Sequence, residues 1–244
     1  MIKFSDFTKA LSKVFFPRSF TCDICGIETF DTNLCPDCLK TVTFNHGTTC
    51  PVCGRKTFSS EICLECKASL PRFKKAVSAL VYEGGATVLI AKFKNGCGYL
   101  NEYFADLIAA KSEGISDADC IVYIPMTKKA LRRRGYNQAE LLAKSISKRL
   151  NIPVLKDGLV KTAETEDQKT LSRKERATNL ADCFKVNRRA EIKDKTVLLI
   201  DDVLTTGATA DSACKKLLQA GAKRIYFATA ASVEYKLINK KESK

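Results

Sequence analysis

The sequence has no run of eighteen uninterrupted apolar residues, so it predicts no membrane span. Charged residues at Asp6, Lys9 and Lys13 break up the first seventeen residues, which argues against a signal peptide. The apolar residues of this segment instead share one helical face, which predicts a short amphipathic helix over residues 1–20. Without an export signal, we expect the protein to be cytoplasmic.

Histidine is nearly absent, because His46 is the only one in 244 residues. General acid–base catalysis by histidine is therefore excluded for any site that does not contain His46. Cysteine, in contrast, is abundant at twelve residues. In the reducing cytosol we expect these thiols to be reduced or bound to metal rather than paired in disulfides.

Acidic residues are in deficit, and the formal net charge is +14. The excess lies in residues 71–244, which contain 33 Lys or Arg against 20 Asp or Glu. Such an excess indicates a polyanionic partner. Nucleic acid and a heavily phosphorylated small ligand both fit this charge.

Eight of the cysteines form an internal repeat. Two units of the pattern C-x2-C-G and a second C-x2-C are displaced by 28 residues, with ligands Cys22, Cys25, Cys35 and Cys38 in the first and Cys50, Cys53, Cys63 and Cys66 in the second. Four thiolates per unit match the closed tetrahedral site of structural zinc, which leaves no position open for catalysis.

Two zinc ions in a double zinc ribbon over residues 21–70 are the preferred reading of this repeat. Disulfides are disfavoured by the reducing compartment, and iron–sulfur ligation is the less common use of such spacing. The spacing itself does not decide whether the ligand pairs are sequential or interleaved. We prefer one ion per unit, because each unit supplies a complete set of four ligands.

Residues 71–244 alternate between strand and helix patterns, which predicts a parallel α/β sheet flanked by helices. The boundary falls at Leu70-Pro71. The predicted strands are 76–82, 121–124, 182–186, 197–200 and 224–233, and the predicted helices are 86–94, 99–111, 137–150 and the segment that ends at Gly221.

The stretch from Val197 to Thr209, VLLIDDVLTTGAT, carries the most specific pattern. A buried strand delivers Asp201 and Asp202 to its C-terminal edge, where ligands bind in open α/β sheets. The following turn, rich in hydroxyls and glycine, opens a helix whose free N–H groups suit a phosphate. An ordinary loop with threonine as the N-cap is the alternative, but two adjacent carboxylates would repel each other without a cation or a diol between them.

Two further segments carry candidate ligand-binding residues. Five cations within seven residues follow the strand at 121–124, namely Lys128, Lys129, Arg132, Arg133 and Arg134. A solvated basic helix end is the alternative for that segment. Residues 159–180 are polar and predict a mobile loop that closes over a ligand, with candidates Lys161, Gln168, Arg173, Arg176 and Asn179.

The pattern of the IDDVLTTGAT stretch resembles the motif by which type I phosphoribosyltransferases bind phosphoribosyl diphosphate (PRPP). With the paired CxxC units, Ile124-Pro125, RGYNQ at 134–138 and the Gln168-to-Asn179 segment, the chain resembles the ComF family. That resemblance implies a type I phosphoribosyltransferase-like domain behind a double zinc ribbon, and an association with natural competence. The domain also resembles the transferase part of glutamine amidophosphoribosyltransferases, but the glutaminase half is missing.

The resemblance also implies roles for individual residues. Asp201 and Asp202 would hold the ribose 2′- and 3′-hydroxyls, and Mg²⁺ would accompany PRPP. The phosphate cradle would consist of Thr205, Thr206, Gly207, Ala208 and Thr209. Lys128, Arg132 and Arg134 would receive the pyrophosphate, and Lys161 and Arg176 would assist catalysis. The family usually has arginine where this chain has Lys161, which weakens a bidentate role there.

Three classes of function follow. The protein is a Mg²⁺-dependent phosphoribosyltransferase, a PRPP-binding regulator without catalysis, or a DNA-uptake factor that uses its zinc ribbons and basic face. In the last case its partner would be single-stranded DNA, a helicase or a recombination protein. The acceptor substrate and the oligomeric state are not readable from the sequence.

Overall fold

A computed structural model describes residues 21–29, 32–162 and 183–234. Its helices are α1 (Pro36–Lys40), α2 (Leu64–Ala68), α3 (Gly84–Lys94), α4 (Leu100–Ala109), α5 (Lys128–Arg134), α6 (Gln138–Leu150), α7 (Arg189–Ile192) and α8 (Ala208–Gln219). Its strands are β1 (Lys75–Val81), β2 (Cys120–Tyr123), β3 (Leu159–Lys161), β4 (Phe184–Val186), β5 (Thr196–Leu204) and β6 (Arg224–Ser232). The predicted helix at 1–20 lies outside the described residues.

Four parallel strands form the central sheet in the order β1-β6-β5-β2. Their side chains are almost all buried, as expected when helices cover both faces of a parallel sheet. Helices α4, α6 and α8 pack on this sheet through apolar faces, so the predicted α/β class is confirmed. Among the described helices, none is long and apolar enough to cross a membrane.

The central strand β5 is longer than predicted. The pattern predicted a strand that stops at Ile200, but pairing with β6 continues from Asp201 opposite Thr229 to Leu204 opposite Ser232. The two carboxylates therefore lie inside the last part of the strand. This placement fixes their backbone in a hydrogen-bonded ladder, which a loop would not do.

The prediction that strand 182–186 belongs to the parallel sheet is wrong. Strand β4 pairs antiparallel with β3 in a separate two-stranded sheet. Residues 159–161 were predicted as the start of a loop and instead form β3. Burial of Leu159 and Phe184 stabilises this pairing, because both side chains are removed from water there.

The basic segment at 128–134 forms the helix α5. Thr127 caps α5 by accepting a hydrogen bond from the Ala130 N–H at 3.2 Å. Gly135, at φ 86°, ends the helix in the left-handed conformation that glycine adopts readily. The cations therefore have fixed directions around a short helix.

The zinc-ribbon segment packs directly against the sheet. The residues between the two cysteine units lie beside the edge strand β1, since Phe44 pairs antiparallel with Leu80 and the Asn45 N–H donates to the Ala79 carbonyl at 2.9 Å. Buried cysteines of both units belong to the same continuous hydrophobic core as the sheet residues. The segment is thus part of the folded body.

Candidate functional site

The eight repeat cysteines gather into two clusters, one per unit. Within each cluster all four Sγ atoms lie within 4.8 Å of one another. The Sγ atoms are 3.8 Å apart for Cys25 and Cys35, and 3.7 Å apart for Cys53 and Cys63. A tetrahedral ion with Zn–S bonds of about 2.3 Å places its sulfurs about 3.8 Å apart. The residues present therefore fit zinc, in the sequential arrangement.

Disulfides do not compete with this assignment. All twelve cysteines fall within the described residues, and all are free thiols there. A disulfide needs an S–S distance near 2.05 Å, far shorter than the spacing in either cluster. In the second cluster, burial together with the neighbouring thiolates raises the pKa of Cys53 to about 12, so a cation is needed to hold four thiolates together.

A cavity of about 570 Å³ opens at the C-terminal edge of the parallel sheet. Its walls come from helix α5, from the C-terminal parts of β2, β3, β5 and α3, and from the starts of α6 and α8. Its polar lining residues are Lys94, Thr127, Lys129, Arg133, Arg134, Asn137, Gln138, Lys161, Asp201, Asp202 and Thr209. Five cations and two carboxylates thus face one space, which suits a ligand with several phosphates and a polar centre.

The two carboxylates occupy the floor of this cavity. Asp201 Oδ1 accepts a hydrogen bond from the Asp202 N–H at 2.8 Å, and Lys94 Nζ lies 3.1 Å from Asp202 Oδ2. Burial and the neighbouring charge of Asp202 raise the pKa of Asp201 to about 8. A hydrogen-bond donor or a cation bound beside the pair would therefore stabilise its ionised form.

This raised pKa predicts a pH-dependent gain in stability for Asp201→Asn. Because the carboxyl prefers to be protonated in the folded state, its ionisation lowers the free energy of unfolding as pH rises from about 4 to about 8. Asparagine does not titrate, so the variant should match wild type near pH 4 and melt a few degrees higher at pH 8. Melting temperatures at both pH values check this, and a variant less stable than wild type at pH 8 would contradict it.

The turn after β5 lies beside the carboxylates. Gly207, at φ 82°, adopts the left-handed conformation directly before α8. Thr209 lines the main cavity, and a smaller recess is bounded by Asp201, Thr205, Gly207 and Thr209. Thr205, Thr206 and Ala208 are exposed, so the predicted phosphate cradle is open to solvent next to the carboxylates.

The basic helix α5 presents only part of its charge to the cavity. Lys129, Arg133 and Arg134 line it, whereas the predicted pyrophosphate ligands Lys128 and Arg132 lie outside its lining. Residues four apart share a helical face, which explains why Lys129 and Arg133 both line the cavity. Arg134 Nη1 also donates to Gln138 Oε1 at 3.1 Å, which fixes its direction.

Lys94 is a site residue that the sequence did not reveal. It ends α3, directly before Asn95-Gly96, and nothing in that pattern connects it with Asp202. Lys161, at the end of β3, also lines the cavity. Arg176, Gln168, Arg173 and Asn179 lie outside the described residues.

Comparisons with known proteins cover both parts of the chain. Residues 136–244 match the phosphoribosyl transferase domain, and residues 11–67 match the double zinc ribbon domain. Competence protein F of Haemophilus influenzae is 31% identical over 167 residues, which are 64% of this chain and 71% of that protein.

Two further relatives align over a shorter region. DNA utilization protein YhgH of Escherichia coli K12 is 30% identical over 119 residues, 49% of this chain and 52% of that protein. Competence protein ComFC of Bacillus subtilis is 28% identical over 131 residues, 53% of this chain and 51% of that protein. The chain therefore spans about half the length of these two relatives.

Proposed function

Because the chain belongs to the ComF family of competence proteins, with a double zinc ribbon and a phosphoribosyltransferase domain, we propose that it binds PRPP together with Mg²⁺ at the C-terminal edge of its sheet. One observation carries the proposal. The carboxylate pair, five cations and Thr209 line one cavity, and Thr205 and Gly207 of the phosphate turn (Thr205–Thr209) border a smaller recess that shares Asp201 and Thr209 with it.

Each part of PRPP has a complement in this arrangement. The 5′-phosphate would bind the phosphate turn, where backbone N–H groups at the start of α8 favour an anion. The ribose hydroxyls would donate hydrogen bonds to Asp201 and Asp202. The pyrophosphate would lie against Lys129, Arg133 and Arg134, on the other side of the carboxylates.

Magnesium fits this donor set, because carboxylate, hydroxyl and phosphate oxygens are the ligands that it prefers. When bound with PRPP, it would supply further positive charge to the leaving pyrophosphate. On the protein side, Asp201 and Asp202 would orient the ribose beneath it. Titration calorimetry with Mg²⁺-PRPP tests the binding proposal, and a lack of binding would overturn it.

Transfer of the phosphoribosyl group would be a second step. The bond between ribose C1 and the pyrophosphate oxygen would break, pyrophosphate would leave with the electron pair, and an acceptor nucleophile would bond to C1 and lose its proton. Lysine and arginine side chains of the cavity would stabilise the leaving charge. Release of pyrophosphate across candidate acceptors tests this step; binding without release would identify a PRPP-binding regulator.

A role in DNA uptake is the second candidate function. Two relatives are named as competence proteins and one as a DNA utilization protein, and residues 71–244 of this chain carry a large positive excess. Contacts between this basic surface and single-stranded DNA should weaken roughly ten- to hundredfold between 50 and 200 mM salt if about three to four phosphates are neutralised. Fluorescence anisotropy with a labelled oligonucleotide measures this; no binding at 50 mM salt would exclude direct contact.

A further inference from the structure

The two zinc ribbons have diverged at one pair of repeat positions. Arg55 and Glu65 of the second unit correspond, 28 residues earlier, to Ile27 and Asp37 of the first. Ile27 is 64% exposed, and Asp37 pairs with Lys40 on the surface. Arg55 is only 5% exposed, so the same position has a buried, charged role in the second unit alone.

Arg55 connects a zinc-binding element to the phosphate turn. Its Nη1 donates to Oε2 of Glu65, which lies in α2 between the ligands Cys63 and Cys66. Its Nη2 donates to the carbonyl oxygen of Thr205, the first residue of the turn. Its buried Nε has no hydrogen-bond partner among the described residues, so the two Nη contacts are the ones that hold the guanidinium in place.

The contact at Thr205 fixes the direction of a whole peptide group. In a trans peptide the C=O and the following N–H point in opposite directions. Holding the Thr205 carbonyl toward Arg55 therefore turns the Thr206 N–H away from the ribbon. An anion-binding turn depends on the directions of such N–H groups, and a donor fixed in advance costs no ordering when the anion binds.

The helix that follows the turn is also contacted by an arginine that precedes the sheet in the chain. Arg72, in the connection between the ribbon and β1, donates from its backbone N–H to Asp211 Oδ1 at 2.9 Å and from Nη1 to Oδ2. Asp211 lies in the first turn of α8. Two arginines that precede the sheet in the chain thus contact Thr205 at the start of the phosphate turn and Asp211 in the first turn of the helix after it.

The second unit is itself fixed against the sheet. The Ala76 N–H donates to the Val52 carbonyl at 2.7 Å, and Asn45 Nδ2 donates to the Gly54 carbonyl at 2.7 Å. A Cβ atom on Gly54 would lie 2.3 Å from the Ala76 carbonyl oxygen, so only glycine permits this approach. A displacement of the second cysteine unit would therefore also move Arg55 and the turn that it contacts.

We propose that Arg55 is a positioning residue that couples the second zinc site to the phosphate turn, while the first zinc site has no such role. Zinc at Cys50, Cys53, Cys63 and Cys66 holds α2, α2 holds Arg55 through Glu65, and Arg55 orders the turn that receives the 5′-phosphate. The ligand part of this inference rests on the proposed PRPP function. The ordering of the turn does not.

The test compares Arg55→Lys and Glu65→Ala with the repeat-matched control Asp37→Ala. In the ligand-free full-length proteins, hydrogen–deuterium exchange of the peptide covering 205–209 should be about tenfold faster in the first two and unchanged in the control. Affinity for ribose 5-phosphate should fall about five- to thirtyfold, whereas affinity for Mg²⁺-pyrophosphate should change less than twofold. Zinc content should remain two per chain throughout.

The two readouts separate local ordering from general damage. A globally loosened protein would lose affinity for both ligands, and that result would overturn the proposal. Unchanged exchange of the turn in both Arg55→Lys and Glu65→Ala would overturn it as well. If wild type binds neither ligand, the PRPP function fails, and faster exchange of the turn in the two variants still supports the coupling.

Discussion

Replacing Asp201 and Asp202 together by asparagine should abolish the rise in melting temperature that Mg²⁺-PRPP gives the wild-type protein. At a hundredfold excess over Kd, a ligand stabilises its protein by about 2.7 kcal/mol, which corresponds to roughly 5–10 °C for a chain of this size. Hydrogen bonds to charged acceptors contribute about 1.5–3 kcal/mol each, so losing two of them weakens binding by about 3–6 kcal/mol and leaves the protein largely unliganded at the same ligand concentration.

The difference with and without ligand is the quantity to compare, because the substituted protein should itself melt higher at pH 8. Asp117→Asn is a suitable control. Asp117 lies near the opposite edge of the sheet, where Tyr226 Oη donates to its Oδ2 at 3.2 Å. This control should keep the full ligand-induced rise. An undiminished rise in the double variant would show that the carboxylates do not hold the ligand.

Serine in place of Cys53 should destabilise the protein much more than serine in place of Cys25. The two cysteines are repeat equivalents, and each substitution should remove one zinc ion. Cys53 is 3% exposed beside the glycine that contacts β1, whereas Cys25 is exposed. Loss of the second ion therefore frees an edge of the sheet, while loss of the first frees a peripheral loop.

We expect Cys53→Ser to lower the melting temperature by more than about 10 °C and Cys25→Ser by less than half as much. Metal analysis should give about one zinc ion per chain in each variant, against two in wild type. Equal destabilisation of the two variants would contradict the view that the second unit is built into the sheet more closely than the first.

The features that the sequence predicted correctly are local ones. Four thiols within seventeen residues carry their chemistry in a short stretch, so their spacing alone identified the zinc units. The two carboxylates were likewise placed on the central strand, although that strand extends past them to Leu204. The parallel α/β sheet followed from the alternation of strand and helix patterns, and its likeness to phosphoribosyltransferases came from the resemblance of the IDDVLTTGAT stretch.

Features that depend on distant contacts were missed. Lys94 reaches Asp202 across more than a hundred residues, and Arg55 reaches Thr205 across 150. The two-stranded sheet of β3 and β4 pairs two short segments whose sequence patterns resemble a loop and a sheet strand. In each case the partner is set by how separate elements pack, which hydrophobic periodicity does not encode.

The sequence likewise did not predict the directions of the α5 cations, which follow from the geometry of the helix. A loop would allow all five side chains to reach one ligand. The helix turns Lys128 and Arg132 out of the cavity lining and leaves Lys129, Arg133 and Arg134 within it. The roles of the individual residues around the cavity remain predictions.

The central claim is that one site recognises the phosphate, the ribose and the pyrophosphate of a single molecule. Titration calorimetry of the zinc-loaded wild-type protein with Mg²⁺-PRPP, Mg²⁺-pyrophosphate and ribose 5-phosphate tests it most directly. The account predicts one Mg²⁺-PRPP per chain, bound at least a hundredfold more tightly than either fragment, because the three groups share one ordering cost. Mg²⁺-pyrophosphate bound as tightly as Mg²⁺-PRPP, or several ligands bound per chain, would instead indicate a general basic surface and contradict the claim.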